Sequence, residues 1–162
     1  MHNPPPLVDS HVHLSMSGTI DKRARQQQLW AGYQESACFI TRHIHYNFTH
    51  GVLGMRDGGD GKGHVLQYKN ENMGDKENPV VLKTSGRAWH QKDRYGSMLG
   101  RHPGKNESLS TAYSEDYDPI DQVKLINSGP NSLKTFSREI PPQFCSEEIK
   151  KKLPRLYNKG EK

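Results

Sequence analysis

The apolar positions of the chain form short continuous runs that alternate with longer segments of helical period. The short runs predict strands that begin at Leu7 and that cover 52–55, 80–84 and 121–126. The longer segments, with apolar residues three or four positions apart, predict helices over 21–50, 64–71, 107–116 and 146–158. Alternation of strand and helix is typical of a parallel sheet with right-handed crossovers. The pattern therefore predicts an α/β fold.

The length of the chain limits how much of such a fold it can form. A complete eight-stranded (β/α) barrel needs about 250 residues, whereas 162 residues provide about four βα units. We therefore expect residues 1–162 to form one domain, a partial TIM-like barrel of about half the usual size.

Two stretches without any period, 87–106 and 127–144, are predicted to be long loops on the active-site side of this domain. His90, Tyr95 and Asn127 lie in these loops and are candidates for contact with a substrate. Loops of this kind often carry function, but chance polar residues on a mobile surface loop are an equally good interpretation.

The composition of the chain disfavours nucleic acids and membranes as partners. The net charge is +5 and 31% of the residues are hydrophobic, which allows only a thin core. The single dense basic run, Lys150 to Lys152, sits beside acidic residues in a predicted helix and favours a solvated helix face over a nucleic-acid site. Two widely separated cysteines, Cys38 and Cys145, and no long apolar run predict a reduced, cytoplasmic protein without membrane contact.

The pair His11 and His13 is the clearest chemical signal. Residues two apart on a strand point to the same side, so both imidazoles can reach one metal ion. The pair also follows the first predicted strand, at the end where barrel enzymes build their sites. His43 and His45 have the same spacing but fall in a predicted helix, where they diverge by about 200°, and are expected to be exposed helix residues.

Several segments resemble the amidohydrolase superfamily. Asp9-Ser10-His11-Val12-His13-Leu14 is similar to its D-x-H-x-H signature, and the segment from Gly51 to Gly59 is similar to its second strand. The segment from Val123 to Gly129 resembles the fourth strand of the branch that holds imidazolonepropionase-like and metal-dependent prolidase-like enzymes. Pro142-Gln143-Phe144 followed by Ser146-Glu147-Glu148 matches the approach to the next helix. The order of these segments is that of the family's N-terminal half.

The resemblance implies a metal-dependent hydrolase that cleaves an amide or cyclic-amide C–N bond of a small molecule. It implies that His11 and His13 are ligands of the more buried metal, and that Lys124 is the catalytic lysine whose carboxylated form bridges two ions. It further implies one or two divalent ions, with Zn²⁺ expected. An ordinary lysine in a salt bridge is the alternative for Lys124. The family's further ligands, two histidines and an aspartate from later strands, find no counterpart in this sequence.

Two functional hypotheses follow. The chain is either a truncated or split hydrolase that is inactive alone, or a non-catalytic half-barrel that serves as a binding or assembly module. A half-barrel exposes unpaired strand edges, so we expect a homo-oligomer or a missing complementary half. Two minor expectations concern the second strand: Arg56 and Asp57 form a structural ion pair, and the glycines from 58 to 63 form a plain turn.

Overall fold

The computed structural model describes residues 5–74, 78–127 and 140–150. Its main sheet has three parallel strands in the order β1 (Leu7–Val12), β2 (Val52–Asp57) and β3 (Val81–Thr84). The predicted α/β class and parallel pairing are therefore confirmed. A closed barrel is not seen within the described residues.

Helices follow the first two strands as the period predicts, with one correction. The single helix expected over 21–50 is two helices, α1 (Lys22–Trp30) and α2 (Tyr33–Thr49). Asp21 caps α1 by accepting hydrogen bonds from the backbone N–H groups of Arg23 and Ala24. Gly32 starts α2 in an extended conformation; because glycine weakens a helix interior, this is where the helix breaks.

The remaining helices are shorter. Helix α3 (His64–Asn72) follows β2, and α4 (Leu109–Ser114) lies in the predicted weak helix, where Ser108 accepts a hydrogen bond from the Thr111 N–H. Residues 146–150 are helical. The rest of the predicted last helix and most of the predicted loop 127–144 lie outside the described residues.

The core packs α2 and α3 against one face of the main sheet. Met55 on β2 and Leu82 on β3 are buried register partners on that face. They join a cluster with Leu14, Ile40, Val65 and Val80. A second buried cluster lies around Trp89 and α4: Leu109, Ala112, Tyr113 and Phe144. Helix α1, in contrast, buries none of its own nine residues.

The opposite face of the sheet, which we call the open face, carries Val8, Gly54, Arg56 and Val81. Alternation along each strand places these residues on the side away from Met55 and Leu82. Val8 and Val81 are 70% and 59% exposed, so the described residues leave this face uncovered.

Two predictions for the second half of the chain are wrong in detail. The stretch 87–106 is not without regular structure, because it contains β4 (Ala88–Trp89) and β5 (Gly100–Arg101), which pair in parallel. The strand expected over 121–126 is reduced to a single bridge between Leu125 and Trp89. Trp89 N–H donates to the Lys124 carbonyl at 2.9 Å, and the Ile126 N–H donates to the Trp89 carbonyl at 2.8 Å. These bonds place Lys124 beside the strand region that follows β3.

Candidate metal centre

The carboxyl ends of β1 and β2 bring His11, His13 and Lys124 together. The Nζ atom of Lys124 lies 3.0 Å from Nε2 of His11, and the rings of His11 and His13 are 5.3 Å apart between centroids. Lys124 reaches this cluster from the segment that bridges to Trp89, outside the three-stranded main sheet.

Gly58, directly after β2, leaves the space that these three side chains share. A Cβ atom at Gly58 would lie 2.7 Å from Lys124 Nζ, 2.8 Å from His13 Cε1 and 3.1 Å from His11 Nε2. The Gly58 N–H donates to the Val12 carbonyl at 2.7 Å, which fixes this point of the chain against β1. A buried position without a side chain thus faces three nitrogen-bearing groups.

Backbone contacts orient the imidazole of His13. Its Nδ1 atom lies 2.8 Å from the Gly59 carbonyl oxygen. A carbonyl only accepts, so Nδ1 carries the proton and donates, and Nε2 keeps a free lone pair. This arrangement, with the second ring nitrogen bonded to a backbone oxygen, is common for histidines that ligate metals.

The electrostatics of the cluster favour neutral nitrogen ligands. The positive charge of Lys124 lowers the pKa of His11, with a smaller contribution from burial. Burial lowers the pKa of His13, although the Gly59 carbonyl and Asp60 oppose it. Burial also lowers the pKa of Lys124, against the opposing charge of Asp57. All three groups are therefore shifted toward the uncharged forms that can bind a cation.

Beneath the cluster, the buried carboxylate of Asp57 links three segments. It accepts hydrogen bonds from the N–H of Leu14 at 3.0 Å, the N–H of Gly59 at 2.7 Å and the hydroxyl of Thr84 at 3.1 Å. Burial raises the pKa of Asp57 to about 6 despite these bonds. Asp57 therefore holds together the turns that carry His13 and Gly58.

The expected ion pair between Arg56 and Asp57 is wrong. Adjacent residues on a strand face opposite sides, and here Asp57 is fully buried while Arg56 is exposed on the open face. Arg56 donates from Nε to the side-chain oxygen of Gln122 instead. The glycine segment is also more than a plain turn, because it forms the floor of the candidate centre.

Comparison with solved structures supports the fold. The chain matches an uncharacterised protein with a TM-score of 0.67 and 17% identity, over 95% of this chain and 40% of the other. It matches a Xaa-Pro dipeptidase with methionine bound in its active site (TM-score 0.64, 16% identity, 96% and 41%) and an amidohydrolase (0.64, 17%, 96% and 41%). The chain has part of an amidohydrolase-type fold. It spans about 40% of the length of these structures. No protein-family model and no curated protein matches the sequence.

Within this amidohydrolase-type fold, Gln143 connects the segments that carry the three predicted substrate residues. Its backbone N–H donates to the Asn127 carbonyl, its side-chain amide donates to the Tyr95 carbonyl, and its side-chain oxygen accepts from the N–H of Gln91, next to His90. His90 follows β4 and is buried, with Nδ1 donating to the Gln91 carbonyl at 2.7 Å. Tyr95 is exposed and uses its carbonyl to accept from the Gln143 side chain. Asn127 accepts from the Phe144 N–H through its side-chain oxygen at 2.7 Å. That oxygen of Asn127 therefore has a structural role, which the sequence did not indicate.

His43 also differs from its predicted role as an exposed helix residue. It is half-buried, and its Nδ1 donates to the Leu14 carbonyl at 2.8 Å. This bond anchors α2 to the residue that follows His13. His45 is exposed, as predicted.

The donor set fits a divalent ion only if Lys124 takes part. Across residues 5–74, 78–127 and 140–150, no three His, Cys, Asp or Glu side chains gather closely enough to hold a metal. The two imidazoles and the space above Gly58 suit Zn²⁺, which binds nitrogen and oxygen ligands. A protonated lysine would repel the ion, whereas its carbamate would supply oxygen ligands.

No helix in the described part of the chain has both the length and the apolar character needed to cross a bilayer.

Proposed function

We propose that this chain carries part of the metal centre of a hydrolase that cleaves an amide or cyclic-amide C–N bond. The convergence of His11, His13 and Lys124 around the space above Gly58 is the observation that supports this proposal. The amidohydrolase-type fold and the position of the cluster at the carboxyl ends of the strands agree with it.

His11 and His13 would hold the ion through Nε2. His13 has that atom free because its Nδ1 bonds the Gly59 carbonyl, and Nε2 of His11 points toward Lys124. When bound, a divalent cation supplies Lewis acidity, which polarises an amide carbonyl and makes water a stronger acid. Asp57 would keep the two ligand-bearing turns in register during this chemistry.

Lys124 would act after carboxylation. The lone pair of its neutral amine attacks the carbon of CO₂, a C–N bond forms, one C=O π bond moves to oxygen, and the nitrogen releases a proton to solvent. Burial lowers the pKa of Lys124 and so increases the neutral fraction that this reaction needs. The resulting carbamate carries a negative charge and two oxygen ligands toward the imidazoles.

The first experiment measures metal per chain by elemental mass spectrometry after loading with Zn²⁺ and desalting. Wild type is compared with His11→Ala/His13→Ala and with the control His45→Ala/His50→Ala, which removes two exposed histidines. His43 is avoided in the control because it anchors Leu14. We expect wild type and control to keep zinc and the His11/His13 variant to lose it.

Equal zinc in all three proteins, or none in any, would contradict the proposed centre. Zinc retained only when both His11 and His13 are present justifies assays on amide, dipeptide and cyclic-imide substrates. Because the chain spans about 40% of the matched structures, hydrolysis by this chain alone is a separate question from metal binding.

A second candidate function, an assembly module, is favoured by the uncovered open face. Val8 and Val81 expose apolar side chains there, and β1 is the terminal strand of the main sheet. A second copy of the chain would cover this face. Size-exclusion chromatography with light scattering tests this: a dimer that dissociates in Val8→Thr/Val81→Thr supports it, and a wild-type monomer at high concentration contradicts it.

A further inference from the structure

A cavity of about 420 Å³ lies between α1 and the loops that follow β1 and β2. Its apolar walls come from Met16 in the loop after β1, from Leu29 and Trp30 at the end of α1, and from Met98. Small-molecule sites have volumes of roughly 300–1,000 Å³. The cavity is therefore large enough for one side chain or ring of a small molecule.

Helix α1 contributes its large apolar residues to this cavity instead of the core. No residue of α1 is buried. Trp30 is 82% exposed and Leu29 is 40% exposed. Polar contacts hold the helix in place: the Gln28 side chain bonds the backbone and hydroxyl of Ser17, and Lys62 Nζ donates to the Ala31 carbonyl at 2.7 Å. A helix that is fixed in position and exposes a tryptophan ring is suited to contact a ligand in the cavity.

The polar groups around the cavity are mostly engaged with one another. The buried carboxylate of Asp60 accepts from the N–H groups of Lys62, His64 and Val65. The His64 ring bonds the Ser36 hydroxyl at 2.9 Å. The ammonium of Lys62 is the exposed charge on this wall. Asp60 and Lys62 carry opposite charges in this wall, so it has no net charge and its apolar surface favours an uncharged group.

Two connections place the cavity next to the metal centre. Met16 lies three residues after His13, and its N–H donates to the His13 carbonyl at 3.0 Å. Gly61, also in the cavity wall, lies two residues after Gly59, whose carbonyl orients His13. The loops after β1 and β2 therefore contribute residues both to the cavity wall and to the proposed site.

We propose that this cavity takes an uncharged, preferentially aromatic side chain of an amide substrate, with Trp30 as its main contact. This inference rests on the proposed function, because only a hydrolase would make the bound molecule a substrate. Binding of the side chain itself needs no metal. Aromatic rings pack favourably against tryptophan and against methionine sulfur, and Met16 and Met98 provide that sulfur in the cavity wall.

The test is a ligand-observed NMR titration with three amide-capped amino acids that share one backbone: N-acetyl-phenylalaninamide, N-acetyl-alaninamide and N-acetyl-lysinamide. The proteins are wild type, Trp30→Ser and the control Tyr117→Ser, which removes an aromatic ring that is 90% exposed elsewhere. Circular dichroism confirms that each variant is folded, which we expect because both rings are exposed.

We expect the phenylalanine probe to bind wild type more tightly than the other two. Trp30→Ser should weaken that binding about tenfold, the factor that corresponds to about 1.4 kcal/mol, and Tyr117→Ser should leave it unchanged. Absence of phenylalanine-probe binding, equal affinity for the alanine probe, or equal loss in both variants would overturn the proposal.

A second arm separates this inference from the proposed function. Mn²⁺ is added to the phenylalanine-probe complex, and relaxation of the probe's acetyl protons is measured in wild type and in His11→Ala/His13→Ala. Faster relaxation in wild type only supports a cavity that serves the metal centre. Probe binding with Mn²⁺ bound but no faster relaxation would overturn that link. Probe binding without any Mn²⁺ binding would contradict the proposed function but would still support aromatic binding in the cavity.

Discussion

Replacing Gly58 with alanine would place a methyl group in the space that His11, His13 and Lys124 share. The added Cβ would lie 2.7 Å from Lys124 Nζ and 2.8 Å from His13 Cε1, both closer than carbon makes ordinary contact. Gly58 does not have the positive φ of its neighbour Gly59. The substitution therefore adds volume at the candidate centre without backbone strain.

The cost in stability should be small and the cost in metal affinity large. Lys124 Nζ is the end of a flexible side chain and can move away, whereas the His13 ring is held by the Gly59 carbonyl. Overpacking costs 1–3 kcal/mol in general, and we expect about 1 kcal/mol here, a fall in Tm of about 2–4 °C. Disturbing the groups that orient metal ligands typically costs about 10–100-fold in affinity.

Zinc affinity by competition with a chelator, together with Tm, measures both effects. Gly54→Ala is the matched control, since Gly54 lies on β2, four residues before Gly58, and the atoms nearest to a Cβ there belong to the Val8 side chain, at 3.1 to 3.6 Å. We expect Gly54→Ala to bind zinc like wild type. Unchanged zinc affinity in Gly58→Ala would refute the placement of the ion above Gly58.

Three further predictions concern the support of the centre. Incubation with ¹³C-bicarbonate should give a carbamate signal in wild type that Lys124→Met lacks, and its absence from wild type contradicts the role of Lys124. Because burial raises the pKa of Asp57 from 3.8 to about 6, the folded chain keeps a proton that the unfolded chain loses between about pH 4 and 6. Asp57→Asn has no such proton. Relative to this variant, the stability of wild type in urea should therefore fall by about 3 kcal/mol across that window, a comparison that cancels the opposing contributions of His11 and His13. Gly59→Ala puts a Cβ 2.4 Å from the Gly86 carbonyl oxygen at a φ of +86° and should destabilise by more than about 2 kcal/mol. Gly32→Ala, with open space around its Cβ, should stay within about 1 kcal/mol of wild type in the same urea assay.

The sequence predicted that the imidazoles of His11 and His13 lie close together, because this follows from a local rule. Period-two alternation placed both imidazoles of His11 and His13 on one side of the strand end, and the structure brings their rings together. The position of Lys124 relied on the resemblance, because no local pattern connects residues 11 and 124. They are 113 positions apart in sequence, and an apolar pattern does not encode contacts over that separation.

The sequence did not predict the separation of Arg56 from Asp57, the strands β4 and β5, or the break between α1 and α2, and each has a physical reason. Asp57 and Arg56 carry opposite charges in adjacent positions, yet strand geometry sends one to the core and the other to the open face. The strands β4 and β5 have two residues each, too few for any period to show. The apolar period predicted one helix over 21–50, but it does not register the glycine at position 32, where α2 begins.

The glycine-rich loop after β2 joins the two proposed sites, and its residues should be separable by mutation. Gly58 faces the imidazoles, whereas a Cβ at Gly61 would lie 2.8 Å from the Ser97 carbonyl oxygen and 3.2 Å from that of Met98. Gly61→Ala should therefore displace the Met98 wall of the cavity and weaken the phenylalanine probe while zinc affinity stays at the wild-type level. Gly58→Ala should do the reverse. If both variants lose both ligands together, the loop acts as one unit and the cavity and the metal centre cannot be treated as distinct parts of one substrate site.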